Sequence, residues 1–367
     1  MDWITQAALG AVIGEMMLGG KLGNRALLWG IAFALLPQLD YLPGAFLPTW
    51  LDLWVIDGLG QSAILAALLA YYGGRKLATL WKKQKITHQE AAVFILAVYF
   101  SGIAHRALTL EGAWPLWPLP FGKLRYPVLP EIDLLFTLPL IFCLIQLARL
   151  QTKKELPRRQ RWLTLGIGIS TAVLILSFIL KGWAHQGFRN DLAKRGVSPV
   201  RLLESPASWT RLFWRCTIRI EDDLWVGYRS VFELPAAPVR WTVYAKRPET
   251  LDSLATSREV KAALRKSDGW WIARPHKKGV SVADFSRAEI RVWGSKKNMV
   301  DSRPARTWLL DTTRPKDRLR EIPGHGDSIE LFQRTFKRIF GQRDAWEANP
   351  RLAGISGALP EPLMVHE

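Results

Sequence analysis

Six apolar segments stand out in the first half of the chain, at about 3–19, 26–42, 58–73, 90–110, 132–150 and 162–182. The last, "WLTLGIGISTAVLILSFILKGW", has the length of a bilayer crossing, which takes roughly 20 apolar residues. The first three are short for full spans and read as tilted or half-buried helices. Pro37, Pro43 and Pro48 punctuate the exit of the second segment. Proline lacks the N–H that a continuing helix uses, so this helix is expected to end near Asp40. Beyond Trp183 the pattern changes. "RLFWRCTIRI", "DLWVGYRSVFEL" and "VRWTVYAK" are short, rich in Trp, Val, Tyr and Ile, and broken by Asp, Gly or Pro. They predict strands of a small sheet. The expected architecture is an α-helical polytopic membrane domain of about six helices over 1–182, then a small soluble β-rich (α+β) domain over 183–341. A loosely ordered tail is expected over 342–367.

Charge adds a topology. Loops 20–25, 74–89 and 151–161 are basic, the last carrying Lys153, Lys154, Arg158, Arg159 and Arg161. Loop 43–57 has no cation, and 111–131 has only Lys123 and Arg125. Basic loops stay on the cytoplasmic side. Both termini and the C-terminal domain are therefore expected outside the cytoplasm, in the inner membrane of a bacterium. The net charge of +18 is accounted for by these loops and by the second half, where 33 Lys and Arg face 22 Asp and Glu. Nucleic acid is not an expected partner, whereas anionic lipid headgroups are. The start, "MDWITQAALG", lacks the basic region of a signal peptide and is expected to be retained as a helix. Two cysteines far apart, Cys143 and Cys216, make neither a disulfide framework nor a CxxC metal motif.

Ionisable residues in an apolar domain are costly and face protein or a water-filled cavity. Glu15 lies in the first segment, Asp40 ends the second, and Asp57 opens the third; His105 and Arg106 close the fourth, followed by Glu111, and Asp133 opens the fifth. The topology puts Asp40, Asp57, His105, Glu111 and Asp133 near one face. Carboxylates with an imidazole suit a divalent ion of the zinc or manganese type. Such an ion makes a hydrolytic nucleophile of a bound water. The plainer alternative is a set of solvated helix ends. Glu15 lies beside Gly10 and Gly14, whose "GAVIG" permits close helix packing. It is either functional or paired with a cation such as Lys21 or Arg25.

The stretch "MDWITQAALGAVIGEMMLGGKLGNRALLWGIAFALLPQLD" resembles the opening of the YdjM-like family, described as LexA-binding, inner membrane-associated metal-dependent hydrolases. Thr5, Gln6, Gly10, Gly14, Glu15, "KLGNRALLWG" and Asp40 carry the likeness, which continues through "IDGLGQS", "AHRALTLEGAWPLWP", "EIDLLFTLPL" and "RLLESPASWTRLFWR". It covers roughly residues 1–230. The resemblance implies a mainly helical membrane domain whose histidines and aspartates bind a metal. The family pattern runs Pro-Asp-Leu-Asp, then His-Arg-Gly-Leu-Thr-His-Ser, then a His four residues before an Asp. In this chain Gln38 replaces the first Asp and Asp40 keeps the second. Ile56 and Gln61 stand where two histidines belong, His105 keeps its place, and Thr109 replaces the last Asp.

Two functions compete. The first is a membrane-embedded metal-dependent hydrolase with its site at the outer ends of helices two to five. Asp40, His105 and Asp57 would be metal ligands, Glu15 or Glu111 a further ligand or the catalytic general base, and the substrate a phosphoester or lipid-like molecule. A catalytic zinc takes about three protein ligands, and the substituted positions leave that set short. The second is a pseudoenzyme that keeps the fold, with a partner- or envelope-binding exported domain rich in tryptophan at positions 209, 214, 225, 241, 270 and 271. LexA enters only through the family's name. A transporter would need paired broken helices in two matching halves, which the sequence lacks.

Overall fold

The computed structural model describes residues 3–41, 47–55, 58–119, 121–150, 155–207, 209–293, 300–314, 319–323, 328–347, 350–352 and 364–365. The chain divides into two compact units, one of 1–46 and 55–178, the other of 47–54 and 179–367.

The first unit is helical. Helix α1 (Trp3–Leu22) packs on α2 (Arg25–Leu35), which tightens into a 3₁₀ turn over Leu36–Tyr41. The contact is backbone on backbone: a Cβ on Gly30 would lie 2.0 Å from the Gly10 carbonyl oxygen, and one on Gly14 2.2 Å from that of Ala26. Helix α3 (Thr49–Val55) falls almost wholly in the second unit. A 3₁₀ turn at Leu59–Gln61 leads to α4 (Ala63–Leu68), a π-helical turn at Leu69–Gly73 and α5 (Gly74–Leu80). Helix α6 (His88–Ala107) starts at a capping box, Thr87 with Glu90, and Lys21 reaches Glu90 at 2.5 Å. Its Ala91, Phe94, Ile95 and Val98 build the core with Trp81, Leu77 and Leu18. Helix α7 (Leu134–Arg149) is N-capped by Asp133, and α8 (Leu156–Lys194) runs on for 39 residues into the second unit.

The expected six-helix polytopic membrane domain is not what the chain forms. Among the described residues two helices, α6 and α8, are long and apolar enough to cross a membrane. Helix α2 has 11 residues and α7 has 16. At 1.5 Å per residue, α7 reaches about 24 Å, short of the ~30 Å hydrocarbon thickness. The third segment is broken by its π turn. Helix α1 is 20 residues long, but Thr5, Gln6 and Glu15 turn into the protein and lower its apolar character. The third basic loop is also partly helix, since Arg158, Arg159 and Arg161 lie inside α8.

The second unit is α+β. Strands β1 (Arg201–Pro206), β2 (Phe213–Ile220), β3 (Asp223–Ser230) and β4 (Trp241–Ala245) form an antiparallel meander, with Phe213 opposite Ser230 and Trp214 opposite Pro206. Helix α9 (Arg258–Ser267) precedes β5 (Trp271–His276) and β6 (Gly279–Asp284). Strands β7 (Ile290–Trp293), β8 (Val300–Arg303), β9 (Arg306–Asp311) and β10 (Leu319–Pro323) follow, then α10 (Ser328–Ile339) and α11 (Asp344–Glu347). The short strands β11 (Pro350–Leu352) and β12 (Met364–Val365) come last. The sheets are ordered β1-β2-β3-β4-β12, β10-β9-β6-β5 and β11-β8-β7. The expected tail at 342–367 falls largely outside the described residues.

The end of α8 is built into this unit. Ala184, Phe188 and Leu192 pack against Trp214, Ile218 and Trp241, and Asp191 accepts from the Val239 amide at 3.0 Å and the Trp241 indole at 2.8 Å. Fully burying a large apolar side chain contributes about 1.5–3 kcal/mol, so these contacts fasten the helix to the sheet. A second core joins α9 to the β10-β9-β6-β5 sheet through Val260, Ala263, Trp271 and Trp308, with Trp50 and Leu53 of α3 against it. Of the tryptophans offered as a binding surface, Trp214, Trp241, Trp270 and Trp271 are core, whereas Trp209 is exposed.

Candidate functional site

Most of the segments that carry the family resemblance lie in the first unit, and "RLLESPASWTRLFWR" lies in the second. The 3₁₀ turn at Leu36–Tyr41 packs on that at Leu59–Gln61. The latter is tied to α6 by the Tyr99 hydroxyl, which donates to the Gly60 carbonyl. Around them lie buried polar side chains: Thr5, Gln6, Gln38, Gln61, His105, Arg106, Thr109, Asp133 and Thr137. Buried polar groups need partners, and several of these find one within the protein.

Gln6 donates to the Gly102 carbonyl at 3.3 Å and lies 3.4 Å from His105 Nδ1. The His105 ring packs on Phe136 with centroids 5.9 Å apart. Thr5 and Thr137 hydroxyls meet at 2.5 Å, joining α1 to α7. Gln61, at a position where the family carries histidine, gives its amide oxygen to the Trp114 N–H at 3.1 Å. Thr109, in place of the last aspartate, donates to the Arg106 carbonyl at 2.8 Å and so closes the end of α6. Asp133 accepts from the Phe136 N–H at 3.0 Å, which uses it as a cap.

Both candidate catalytic carboxylates are held by arginines. Glu111 lies 3.2 Å from Arg106. Glu15 lies away from this cluster, bonded through both oxygens to Arg159, at 2.9 Å from Nε and 2.6 Å from Nη2. Its partner is Arg159 rather than Lys21 or Arg25. Arg159 was visible only as one charge of a basic stretch, and only Glu15's need for a cation hinted at its role. Of the three proposed metal ligands, His105 is placed as described. Asp57 lies outside the described residues, and so does the side chain of Asp40, whose backbone belongs to the Leu36–Tyr41 turn. Among the described residues no group of three or more His, Cys, Asp or Glu side chains could hold a metal ion. The described donors therefore do not fit a catalytic zinc, which takes about three protein ligands.

No family model, curated protein or solved structure matches this chain. The YdjM-like resemblance thus stands on the quoted residues alone.

The second unit holds a polar cluster that the sequence did not announce. His185 Nδ1 lies 2.9 and 3.0 Å from the two oxygens of Glu204, and Lys181 donates to the Glu204 carbonyl at 3.4 Å. Burial raises the Glu204 carboxyl above its ordinary range, against the opposing pull of His185, Lys181 and Arg189. The four cationic or acidic residues are spread over 24 positions of sequence, so no local motif marks them.

Proposed function

We propose that the chain is a membrane-anchored, non-catalytic relative of the YdjM-like proteins, whose metal corner has become a hydrogen-bonded structural core. Its binding role then belongs to the 179–367 unit, directed at an envelope component or protein partner. One observation carries this reading: both carboxylates suited to acid–base work, Glu15 and Glu111, are engaged by arginines. The Gln61 amide oxygen and the Thr109 hydroxyl, at positions where the family pattern has ligands, bond to backbone groups. A carboxylate whose two oxygens accept from one guanidinium is a rigid bidentate pair, with neither oxygen aimed at a substrate. Helices α6 and α8 supply the membrane anchorage. The basic loops favour the bacterial inner membrane, with the second unit on the outer side.

The test is elemental analysis of the purified full-length protein, wild type and Asp40→Ala/His105→Ala. Folded protein free of zinc and manganese supports the proposal. Near-stoichiometric metal that disappears in the double variant overturns it in favour of a metal-dependent hydrolase.

A further inference from the structure

The second unit exposes a continuous row of aromatic rings. Trp209 stacks on Phe332 at 5.2 Å, Phe332 meets Phe336 at 6.5 Å, Phe336 meets Phe340 at 5.0 Å, and Phe340 stacks on Phe232 at 5.7 Å. All five are between 49% and 61% exposed, and Leu234 and Ile329 beside them are more so. Phe332 and Phe336 fall on one face of α10 and Phe340 follows directly on its last turn, while Thr335, Arg338 and Ile339 of the helix are buried. The face is fixed in place: Ser230 donates to the Ile339 carbonyl at 2.7 Å, and Arg338 reaches Glu233 at 2.9 Å. Exposed apolar patches of this extent mark an interaction surface.

Its position within the unit selects the occupant. Helix α8 ends at Lys194, β1 starts at Arg201, and Glu204 already lies beside Lys181 and His185, so β1 runs back antiparallel to the end of α8. The β1–β2 turn bearing Trp209 therefore points back towards Ile179–Trp183, where the apolar run of α8 ends. Register puts the β3–β4 turn bearing Phe232 at the same edge of the sheet, because Ser230 pairs with Phe213. The apolar run of α8 is itself little buried, with Ile175, Phe178, Ile179 and Trp183 exposed. Lys337 projects beside Phe336 and forms no ion pair among the described residues, in a half-chain with an excess of cations. An aromatic face edged by lysine, at the end where a membrane-long helix emerges, matches the interfacial layer of an anionic bilayer.

We propose that the Trp209–Phe332–Phe336–Phe340–Phe232 row is a bilayer-docking face that lays the second unit on the surface of an anionic membrane. The inference rests on α8 crossing that membrane.

The full-length protein, reconstituted in vesicles of phosphatidylcholine and phosphatidylglycerol, carries a nitroxide at one introduced cysteine: Phe336→Cys, Phe340→Cys, Ile175→Cys or Asp252→Cys. Cys143 and Cys216 are buried, which directs labelling to the new thiol. Collisions with oxygen report lipid and collisions with a nickel chelate report water. Oxygen is expected to dominate at 336, 340 and 175, and nickel at 252. Raising phosphatidylcholine at the expense of phosphatidylglycerol, or adding Lys337→Glu, should shift 336 towards nickel. Nickel dominance at 336 and 340 with oxygen dominance at 175 overturns the docking face and leaves the membrane anchor standing. Nickel dominance at 175 as well removes both. Exclusion of both reagents at 336, with dipolar broadening that grows with protein density, assigns the face to a second copy of the chain and overturns the proposal.

Discussion

Arg159 reaches from α8 to α1 and holds both oxygens of Glu15, with the arginine 1% and the glutamate 5% exposed. The same guanidinium donates to Asn24 at 2.7 Å and to the Leu147 and Leu150 carbonyls at 2.9 Å. One side chain thus pairs a buried acid and satisfies carbonyls at the end of α7. Removing one partner of a buried pair leaves an uncompensated charge, at a cost of about 3–5 kcal/mol. Glu15→Gln should lower the thermal unfolding temperature of the detergent-solubilised protein sharply, and Glu15→Gln/Arg159→Met should recover much of the loss. Were Glu15 a catalytic acid held against its own stability, Glu15→Gln would leave the unfolding temperature unchanged or raise it.

The α1–α2 contact rests on absent side chains. At Gly30 a Cβ would meet the Gly10 carbonyl oxygen, and at Gly10 it would lie 2.3 Å from that of Gly30. Gly30→Ala must force the helices apart, and overpacking of this kind costs roughly 1–3 kcal/mol. Gly20, also in α1, has nothing within 4 Å of its virtual Cβ. Gly20→Ala should be neutral or stabilise by up to about 1 kcal/mol through helix propensity. Thermal unfolding of the two variants side by side checks the contrast; equal effects would mean that α1 and α2 do not approach this closely.

Much of this was legible in the sequence because it is periodic or local. Every apolar segment contains a helix, and "RLFWRCTIRI", "DLWVGYRSVFEL" and "VRWTVYAK" contain β2, β3 and β4. The glycines flanking "GAVIG" signalled close packing. Hydropathy could not say how far each apolar run extends as one unbroken helix, and with the polar residues of α1 this is why the six apolar segments leave two helices, among the described residues, that are long and apolar enough to cross a membrane. The polar core was half legible: Gln6, Gln61, His105 and Thr109 attract notice as departures from, or matches to, a known pattern. Apart from the local bond of Thr109 to Arg106, their hydrogen bonds join residues 53 to 99 positions apart and have no sequence signature. Arg159 is the clearest case, since a cation in a basic run carries no mark of the single acid it serves.

Arg215 on β2 offers a second buried pair, in the other unit. Its Nε and Nη2 lie 3.1 and 3.2 Å from Glu289, Nη2 also donates to the Phe285 carbonyl, and the Tyr228 hydroxyl donates to the same carboxylate. Glu289 and Tyr228 hold the guanidinium protonated, raising its pKa although burial acts the other way. Glu289→Gln should destabilise the unit by about 3–5 kcal/mol, while Tyr228→Phe, which removes one charge-assisted bond, should cost about 1.5–3 kcal/mol. Near-UV circular dichroism during thermal unfolding reads both, through the buried tryptophans of the sheet. A loss for Glu289→Gln no larger than that for Tyr228→Phe would contradict the pairing.

Glu204 gives the stability a pH dependence of definite sign. Its carboxyl titrates above the ordinary value of 4.5 in the folded protein because burial disfavours the anion more than His185, Lys181 and Arg189 favour it. Between the unfolded and the folded pKa, the folded state binds the extra proton, so stability falls as pH rises through that window. The stabilisation is complete below about the unfolded value and is lost on passing the folded one. Glu204→Gln keeps a neutral side chain of the same shape at every pH. The variant should therefore gain on wild type as pH rises from the ordinary glutamate range upwards, and the difference between their unfolding temperatures should widen until Glu204 is fully ionised. A difference that narrows over this window would show that His185 and Lys181 stabilise the anion more than burial penalises it.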